Sequence, residues 1–125
     1  MGYCLNILAF DMKQKHTTLT RKNQLPTRFQ QFGQKYPAIM KAYETLGEAT
    51  QQAGPLDPKT RALVKLAIAV GGWREGAVHS HTRRALQAGC TPDEIRHVIL
   101  LATTTLGFPS MMATLTWVED ILKEN

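Results

Sequence analysis

Residues 71–89, GGWREGAVHSHTRRALQAG, decide the fold of this chain and carry most of its candidate chemistry. The segment opens on two glycines and closes on a third, Gly89, so it predicts one helix from about Trp73 to Ala88. Strongly apolar segments lie on both sides of it in the sequence. The chain is therefore organised around a polar helix that lies between two apolar ones.

The flanking segments carry their own helix signals. Asp57 stands directly before Pro58, which predicts a capped start because a carboxylate accepts from first-turn N–H groups and proline needs no donor there. Thr91 with Glu94 three residues later predicts a capping box. Apolar residues at helical spacing predict two helices before residue 55 and one at the C-terminus. The prediction is an all-α fold of about six helices.

The chain of 125 residues is long enough for one compact domain, which we expect to span residues 25–125. Residues 1–24 show no sustained periodicity and end in a polar, basic run. They are interpreted as an N-terminal arm, either disordered or packed on a neighbouring subunit. Met12 is an alternative start for the chain.

Composition excludes several classes of function. The formal net charge of +5 comes without a recognition motif or an aromatic and basic strip, so no nucleic-acid partner is expected. No apolar run reaches the roughly 18–20 residues of a membrane helix, and no basic residue precedes the short apolar start. Cys4 and Cys90 have no metal-binding spacing. A cytoplasmic protein with reduced thiols and no metal or cofactor is the expectation.

The two apolar helices predict self-association. Each carries apolar residues around most of its circumference, and a domain of this size cannot cover both with its own chain. Subunits that cover each other's apolar surface solve the problem. We therefore expect an obligate homo-oligomer.

Arg74 and His81 are the candidate site residues of the central helix. At about 100° per residue, Arg74, Ala77, His81 and Ala85 fall on one stripe. A guanidinium grips a carboxylate with two parallel hydrogen bonds, and an imidazole exchanges a proton near neutral pH. The stripe predicts a small anionic-acid site in which Arg74 binds the carboxylate and His81 transfers a proton. The alternative is a core histidine bonded to a neighbouring helix.

The other histidines receive simpler interpretations. His79 lies roughly 200° from His81 around the helix, so the two cannot form a paired metal site, which needs a spacing of four residues. His79 instead pairs with Glu75 four residues earlier, as a surface ion pair. His97 is assigned to the core or to an interface, and His16 in the basic arm has no role.

From Leu56 to about Thr116, the chain resembles the carboxymuconolactone decarboxylase family, which includes alkyl hydroperoxidase D. Four segments carry the resemblance: LDPKTRALVKLAIAV, HTRRALQAG, TPDEI and the GFPS turn before the last helix. The resemblance implies an alkyl hydroperoxidase D-like helical bundle that assembles as a homotrimer or homohexamer, with sites near subunit contacts.

The departures from the family pattern bear on the chemistry. In the redox branch, C-x-x-C is followed four residues later by histidine; here His81 is kept, but Arg74 and Ala77 stand at the cysteine positions and Ala62 at that of the glutamate. Without cysteine at these two positions, the thiol chemistry of the redox branch has no sulfur nucleophile there. The lactone decarboxylase branch has no cysteine pair and acts on a small carboxylated lactone. It usually has a glutamate shortly before the histidine, and the nearest here, Glu75, is off the His81 face.

Three hypotheses remain at the sequence level. The first is a carbon–carbon lyase of decarboxylase type, with Arg74 as carboxylate anchor and His81 as proton-transfer residue. The second is a non-catalytic oligomer with a binding or structural role, since the cysteines and the glutamate are missing. The third is a peroxiredoxin-like oxidoreductase that uses Cys90.

Overall fold

A computed structural model describes residues 27–124 of the chain. Within that range the backbone forms six α-helices, a short 3-10 turn and no strand, which confirms the all-α prediction. The helices are α1 (Thr27–Lys35), α2 (Pro37–Gln52), α3 (Pro58–Gly71), α4 (Glu75–Gln87), α5 (Pro92–Leu101) and α6 (Phe108–Leu122), and the 3-10 turn is Ala102–Thr104. The predicted arm at residues 1–24, the alternative start Met12 and the domain boundary at residue 25 lie outside the described residues.

Contacts within the chain divide it into two units, with the boundary in the sequence between Ala49 and Thr50. The first unit contains α1 and most of α2, and neither helix has a buried side chain. Within it, the rings of Phe32 and Tyr36 lie 5.3 Å apart. The second unit contains α3 to α6 together with the hydrophobic core, so it is the unit in which a site can be built.

Both predicted helix caps are confirmed. The Asp57 carboxylate accepts a 2.7 Å hydrogen bond from the backbone N–H of Thr60 at the start of α3. At the start of α5, the Thr91 hydroxyl accepts from the N–H of Glu94 at 3.1 Å, and the Glu94 carboxylate accepts from the N–H of Thr91 at 3.0 Å. These backbone bonds lower the pKa of Asp57 and of Glu94 below their ordinary values. Lys59 binds Glu94 at 3.2 Å and so links the first turns of α3 and α5.

The core lies among α3, α4, α5 and α6. Its members are apolar side chains that recur at helical spacing on the inner side of each helix, and six of them are fully buried: Leu66, Val78, Ala85, Ile95, Ile99 and Val118. The buried hydroxyl of Thr82 donates to the backbone carbonyl of Val78 at 2.7 Å, so this polar group costs the core little. The core holds the first turns of α4 against α3, which is where the candidate residues lie.

Much apolar surface of the second unit stays exposed. Ile68 on α3 is 68% exposed, Leu101 on α5 is 61% exposed and Phe108 at the start of α6 is 60% exposed. A monomer gains nothing by placing such side chains in water. The surplus apolar surface that the sequence predicted is therefore present in the single chain.

Candidate functional site

A cleft of about 290 Å³ opens between α3 and the start of α4. Its walls include both site residues predicted from the sequence, Arg74 and His81, and also Ala77, which lies between them on the same stripe. The other lining residues are Lys65, Ile68, Ala69 and Gly72. The structure thus brings the predicted pair together, with a positively charged residue of α3 added to it.

The turn between α3 and α4 sets the position of Arg74. α4 begins at Glu75, two residues later than predicted, because Trp73 adopts a left-handed conformation with φ of 54°. That conformation is strained for a residue with a side chain, by about 1–2 kcal/mol. The indole ring of Trp73 packs on Trp117 of α6 with 4.9 Å between centroids, and the backbone N–H of Trp73 donates to the carbonyl of Val70 at 3.0 Å. These contacts hold the strained turn.

Arg74 is therefore the N-cap of α4 and not an internal residue of the helix. Its backbone is extended, with φ of −117°, and its side chain makes no capping hydrogen bond. Among residues 27–124 its guanidinium has no hydrogen bond or ion pair. The positive end of the α4 dipole and the N–H groups of the first turn lie beside it, and such an end favours bound anions.

His81 lies two turns further along α4 and is half-buried. Burial lowers the pKa of its imidazole, and the positive charges of Arg84 and Lys65 lower it further. A neutral ring has one nitrogen that accepts a proton and one that donates. Ala77 lines the cleft as predicted, whereas Ala85 is fully buried in the core, so only the former leaves space beside the imidazole.

Lys65 is the cleft residue that the sequence argument did not assign. It is half-buried on α3, and a Lys stem buried along apolar surface keeps its ammonium toward water or an anion. The signal was available, because Lys65 is the one charged residue within an otherwise apolar run from Ala62 to Val70. The apolar periodicity of this segment does not show against which helix Lys65 packs.

The remaining candidates lie elsewhere. Cys90 is only 4% exposed, and its thiol faces the carbonyl of Lys59 at 3.8 Å. Burial raises the pKa of the Cys90 thiol, which is the opposite of what a thiolate nucleophile requires. His97 is exposed on α5 and is not a core residue. Glu75 does not line the cleft, in agreement with its predicted place off the His81 face.

No helix among residues 27–124 combines the length and the apolar composition needed to cross a membrane.

Comparisons with known proteins agree with the fold and span the part of the chain that contains the cleft. The profile of the carboxymuconolactone decarboxylase family matches residues 37–120, which include the whole cleft. The apo crystal structure of a carboxymuconolactone decarboxylase family protein from Legionella pneumophila superposes with a TM-score of 0.67 at 26% identity, covering 78% of this chain and 88% of that one.

Two curated relatives are similar in sequence to part of the chain. A 4-carboxymuconolactone decarboxylase from Acinetobacter baylyi is 31% identical over 78 residues, 62% of this chain and 58% of its own length. An uncharacterised protein from Haemophilus influenzae is 35% identical over 72 residues, 58% of this chain and 59% of its own. The chain therefore matches less than two thirds of the length of either relative. Because the family profile covers more than half of the sequence, this chain belongs to the carboxymuconolactone decarboxylase family.

Proposed function

We propose that the chain is a carbon–carbon lyase that decarboxylates a small carboxylated lactone, with Arg74 as carboxylate anchor and His81 as the residue that transfers the proton. The observation that carries the proposal is the shared cleft, which places a guanidinium, an ammonium and an imidazole around one space between α3 and α4. The name of the Acinetobacter relative, 4-carboxymuconolactone decarboxylase, supplies the substrate class.

Binding of an anionic substrate follows from the charges of the cleft. The Arg74 guanidinium has no partner among residues 27–124, so it can bind a carboxylate without first breaking an ion pair. Lys65 supplies a second positive charge on the opposite wall. Among residues 27–124, no acidic side chain lines the cleft, so no described carboxylate of the lining competes with the substrate for these two cations.

Proton transfer completes the reaction. The bond between the ring carbon and the carboxylate carbon breaks, carbon dioxide leaves, and the electron pair passes into the unsaturated lactone. A proton must then reach carbon, and the His81 imidazolium donates it and recovers one from water. In the free protein, burial and, to a smaller extent, the nearby cations Arg84 and Lys65 disfavour the imidazolium by lowering its pKa. The negative charge of a bound substrate offsets these effects, so substrate binding favours the protonated imidazole that donates the proton.

Replacing Arg74 by alanine is expected to raise KM or Kd for a carboxylated lactone by about 10–100-fold, since a hydrogen bond to a charged group is worth about 1.5–3 kcal/mol. The first measurement is thermal shift of the wild type and of Arg74→Ala with a panel of mono- and dicarboxylates that includes unsaturated lactone acids. A ligand that binds only the folded protein raises its melting temperature. Turnover of 4-carboxymuconolactone, followed by carbon dioxide release, is measured on the same proteins.

The matched control is Arg28→Ala, which removes the same charge from α1, outside the cleft. An equal loss of response in both variants would mean that net charge and not the cleft binds the acid. A wild type that neither responds to any acid nor releases carbon dioxide would favour the second hypothesis, a non-catalytic oligomer. Peroxide consumption that thiol-blocking reagents abolish would favour the third, with Cys90 as its nucleophile.

We also propose that the protein acts as a homo-oligomer, and the family's trimers and hexamers give the expected size. The support is an apolar groove of about 340 Å³ between α3 and α5, whose lining includes Val64, Val98, Leu101 and Leu106. Val64, Leu101 and Leu106 are 41%, 61% and 40% exposed in the single chain. A second copy that inserts apolar side chains there would remove this surface from water.

Leu101→Glu is expected to shift the protein from oligomer to monomer, because it places a charge in the groove that a second copy would have to desolvate. Sedimentation velocity over a range of protein concentrations measures the change. Leu56→Glu, at a position that is 48% exposed and outside the groove, is the control and should leave the assembly intact. A monomeric wild type at all concentrations would contradict the proposal.

A further inference from the structure

His79, Glu75 and Asp120 form a cluster outside the cleft that neither the family comparison nor the proposed reaction uses. Glu75 is the first residue of α4, His79 follows one turn later on the same helix, and Asp120 comes from α6. One donor atom from each residue lies within 4.8 Å of the others. The sequence predicted an ion pair between His79 and Glu75; among residues 27–124 the charged partner within 4.0 Å of His79 is Asp120 instead.

The imidazole nitrogen of this cluster is the feature that needs an explanation. The Nε2 atom of His79 is buried and has no hydrogen-bond partner among residues 27–124, although the ring as a whole is 24% exposed. The carboxylate oxygen Oδ2 of Asp120 is 3.7 Å from this nitrogen, which is too long for a hydrogen bond. An unpaired buried nitrogen costs about 1–3 kcal/mol. A third atom that bonds to both the nitrogen and the carboxylates would remove this cost.

We infer that His79, Glu75 and Asp120 bind a divalent transition-metal ion, with Zn²⁺ as the preferred ion, and so cross-link the start of α4 to α6. Zn²⁺ is commonly bound by one or more imidazole nitrogens with carboxylate oxygens at about 2.0–2.2 Å. Tetrahedral bonds of that length hold the donor atoms about 3.3–3.6 Å apart. The 3.7 Å between Nε2 and Oδ2 is already close to this spacing.

The rest of the geometry is within reach of side-chain rotation. Glu75 is exposed and the Asp120 side chain is 52% exposed, so both carboxylates can change rotamer without disturbing the core. A spacing of four residues on one helix places Glu75 and His79 on the same face, as a chelating pair requires.

The charges of the site also select the type of ion. Two carboxylates balance a divalent cation, and the neighbouring cation, Arg83, already lies 3.9 Å from a carboxylate oxygen of Glu124. Mg²⁺ and Ca²⁺ prefer sets made entirely of oxygen, whereas an imidazole nitrogen favours Zn²⁺ and its transition-metal neighbours. The mixed set of one nitrogen and two carboxylates therefore fits Zn²⁺ better than either of the alkaline-earth ions.

The test is Zn²⁺ binding to tag-free full-length protein that has been stripped with a chelator and dialysed. Isothermal titration is expected to give one Zn²⁺ per chain, and Zn²⁺ is expected to raise the melting temperature. Co²⁺ provides an optical readout: it should give a visible absorption band and should quench tryptophan fluorescence. Both tryptophans lie close in sequence to the proposed ligands, since Trp73 precedes Glu75 by two residues and Trp117 precedes Asp120 by three.

Loss of an outer-sphere partner weakens metal binding by about 10–100-fold. His79→Gln and Asp120→Asn each remove a proposed ligand itself, so each single substitution is expected to weaken Zn²⁺ binding by more than that. The controls are His97→Gln and Asp93→Asn, which remove one imidazole and one carboxylate from exposed positions on α5. Thermal melts of the metal-free variants check that each still folds. The inference is overturned if the stripped wild type does not bind Zn²⁺, or if the cluster variants and the controls bind it equally well.

Discussion

Replacing His81 by alanine is expected to lower kcat for decarboxylation by about 10²–10⁴-fold and to leave KM nearly unchanged, because general acid–base groups contribute factors of that size. The imidazole lines the cleft but lies two turns from Arg74, which holds the carboxylate in our proposal. Loss of the ring removes the proton donor and leaves the anchor. Steady-state kinetics of carbon dioxide release measure both constants.

Two further measurements separate proton transfer from a structural role. Added imidazole should restore part of the activity of His81→Ala, since the truncated side chain leaves space in the cleft beside Ala77. His97→Ala removes an exposed histidine from α5 and should keep full activity. A kcat for His81→Ala equal to that of the wild type, with a substrate that the wild type turns over, would rule out the assigned role.

The contrast between the two cleft variants is itself informative. Arg74→Ala should act on binding, whereas His81→Ala should act on the chemical step, because only the imidazole takes part in the change of bonding. A binding protein without catalysis would show the first effect in thermal shift and no turnover in any variant. The pair of substitutions therefore distinguishes a lyase from a binding oligomer of the same fold.

Local signals in the sequence predicted the helices well. The Asp57 and Thr91 caps are set by residues within one turn of each other, and both are present as predicted. The stripe of Ala77 and His81 also depends only on spacing along one segment, whereas Arg74 lines the cleft from the N-cap, just outside the helix. The last helix begins at Phe108, with Pro109 in its first turn, where proline is accepted.

Contacts between helices could not be obtained in the same way. Lys65 reaches the cleft from α3, and Asp120 reaches His79 from α6; both pairings depend on which helices pack together. The left-handed Trp73 is a third case, since its conformation is stabilised by a ring on another helix. Each of these features comes from tertiary packing, about which the periodicity of one segment carries no information.

Leu66 of α3 connects this packing to the site. Its side chain is fully buried, and it directly follows the cleft residue Lys65. Neighbouring residues on a helix point about 100° apart, so the same turn presents one side chain to the core and one to the cleft. The second unit has four helices and few large side chains that are fully buried. Each of these side chains therefore contributes a considerable share of the stability of the unit.

Leu66→Ala is expected to lower the free energy of unfolding by about 2–5 kcal/mol, because it removes buried methyl groups and leaves a cavity that a packed core closes only in part. Small proteins are stable by only about 5–15 kcal/mol, so much of the reserve would be lost. Urea denaturation at one fixed protein concentration measures the change, which keeps any linkage to self-association constant between samples.

The control for Leu66→Ala is Leu56→Ala, the same change at a side chain that is 48% exposed, where we expect less than about 1 kcal/mol. The cleft lining does not include Leu66, so the folded fraction of Leu66→Ala should keep its kcat at low temperature. Equal losses of stability at the two leucines would mean that the core is not where the structure places it. A selective loss of kcat in folded Leu66→Ala would instead mean that the cleft depends on the position of α3, the helix that carries the cleft residue Lys65.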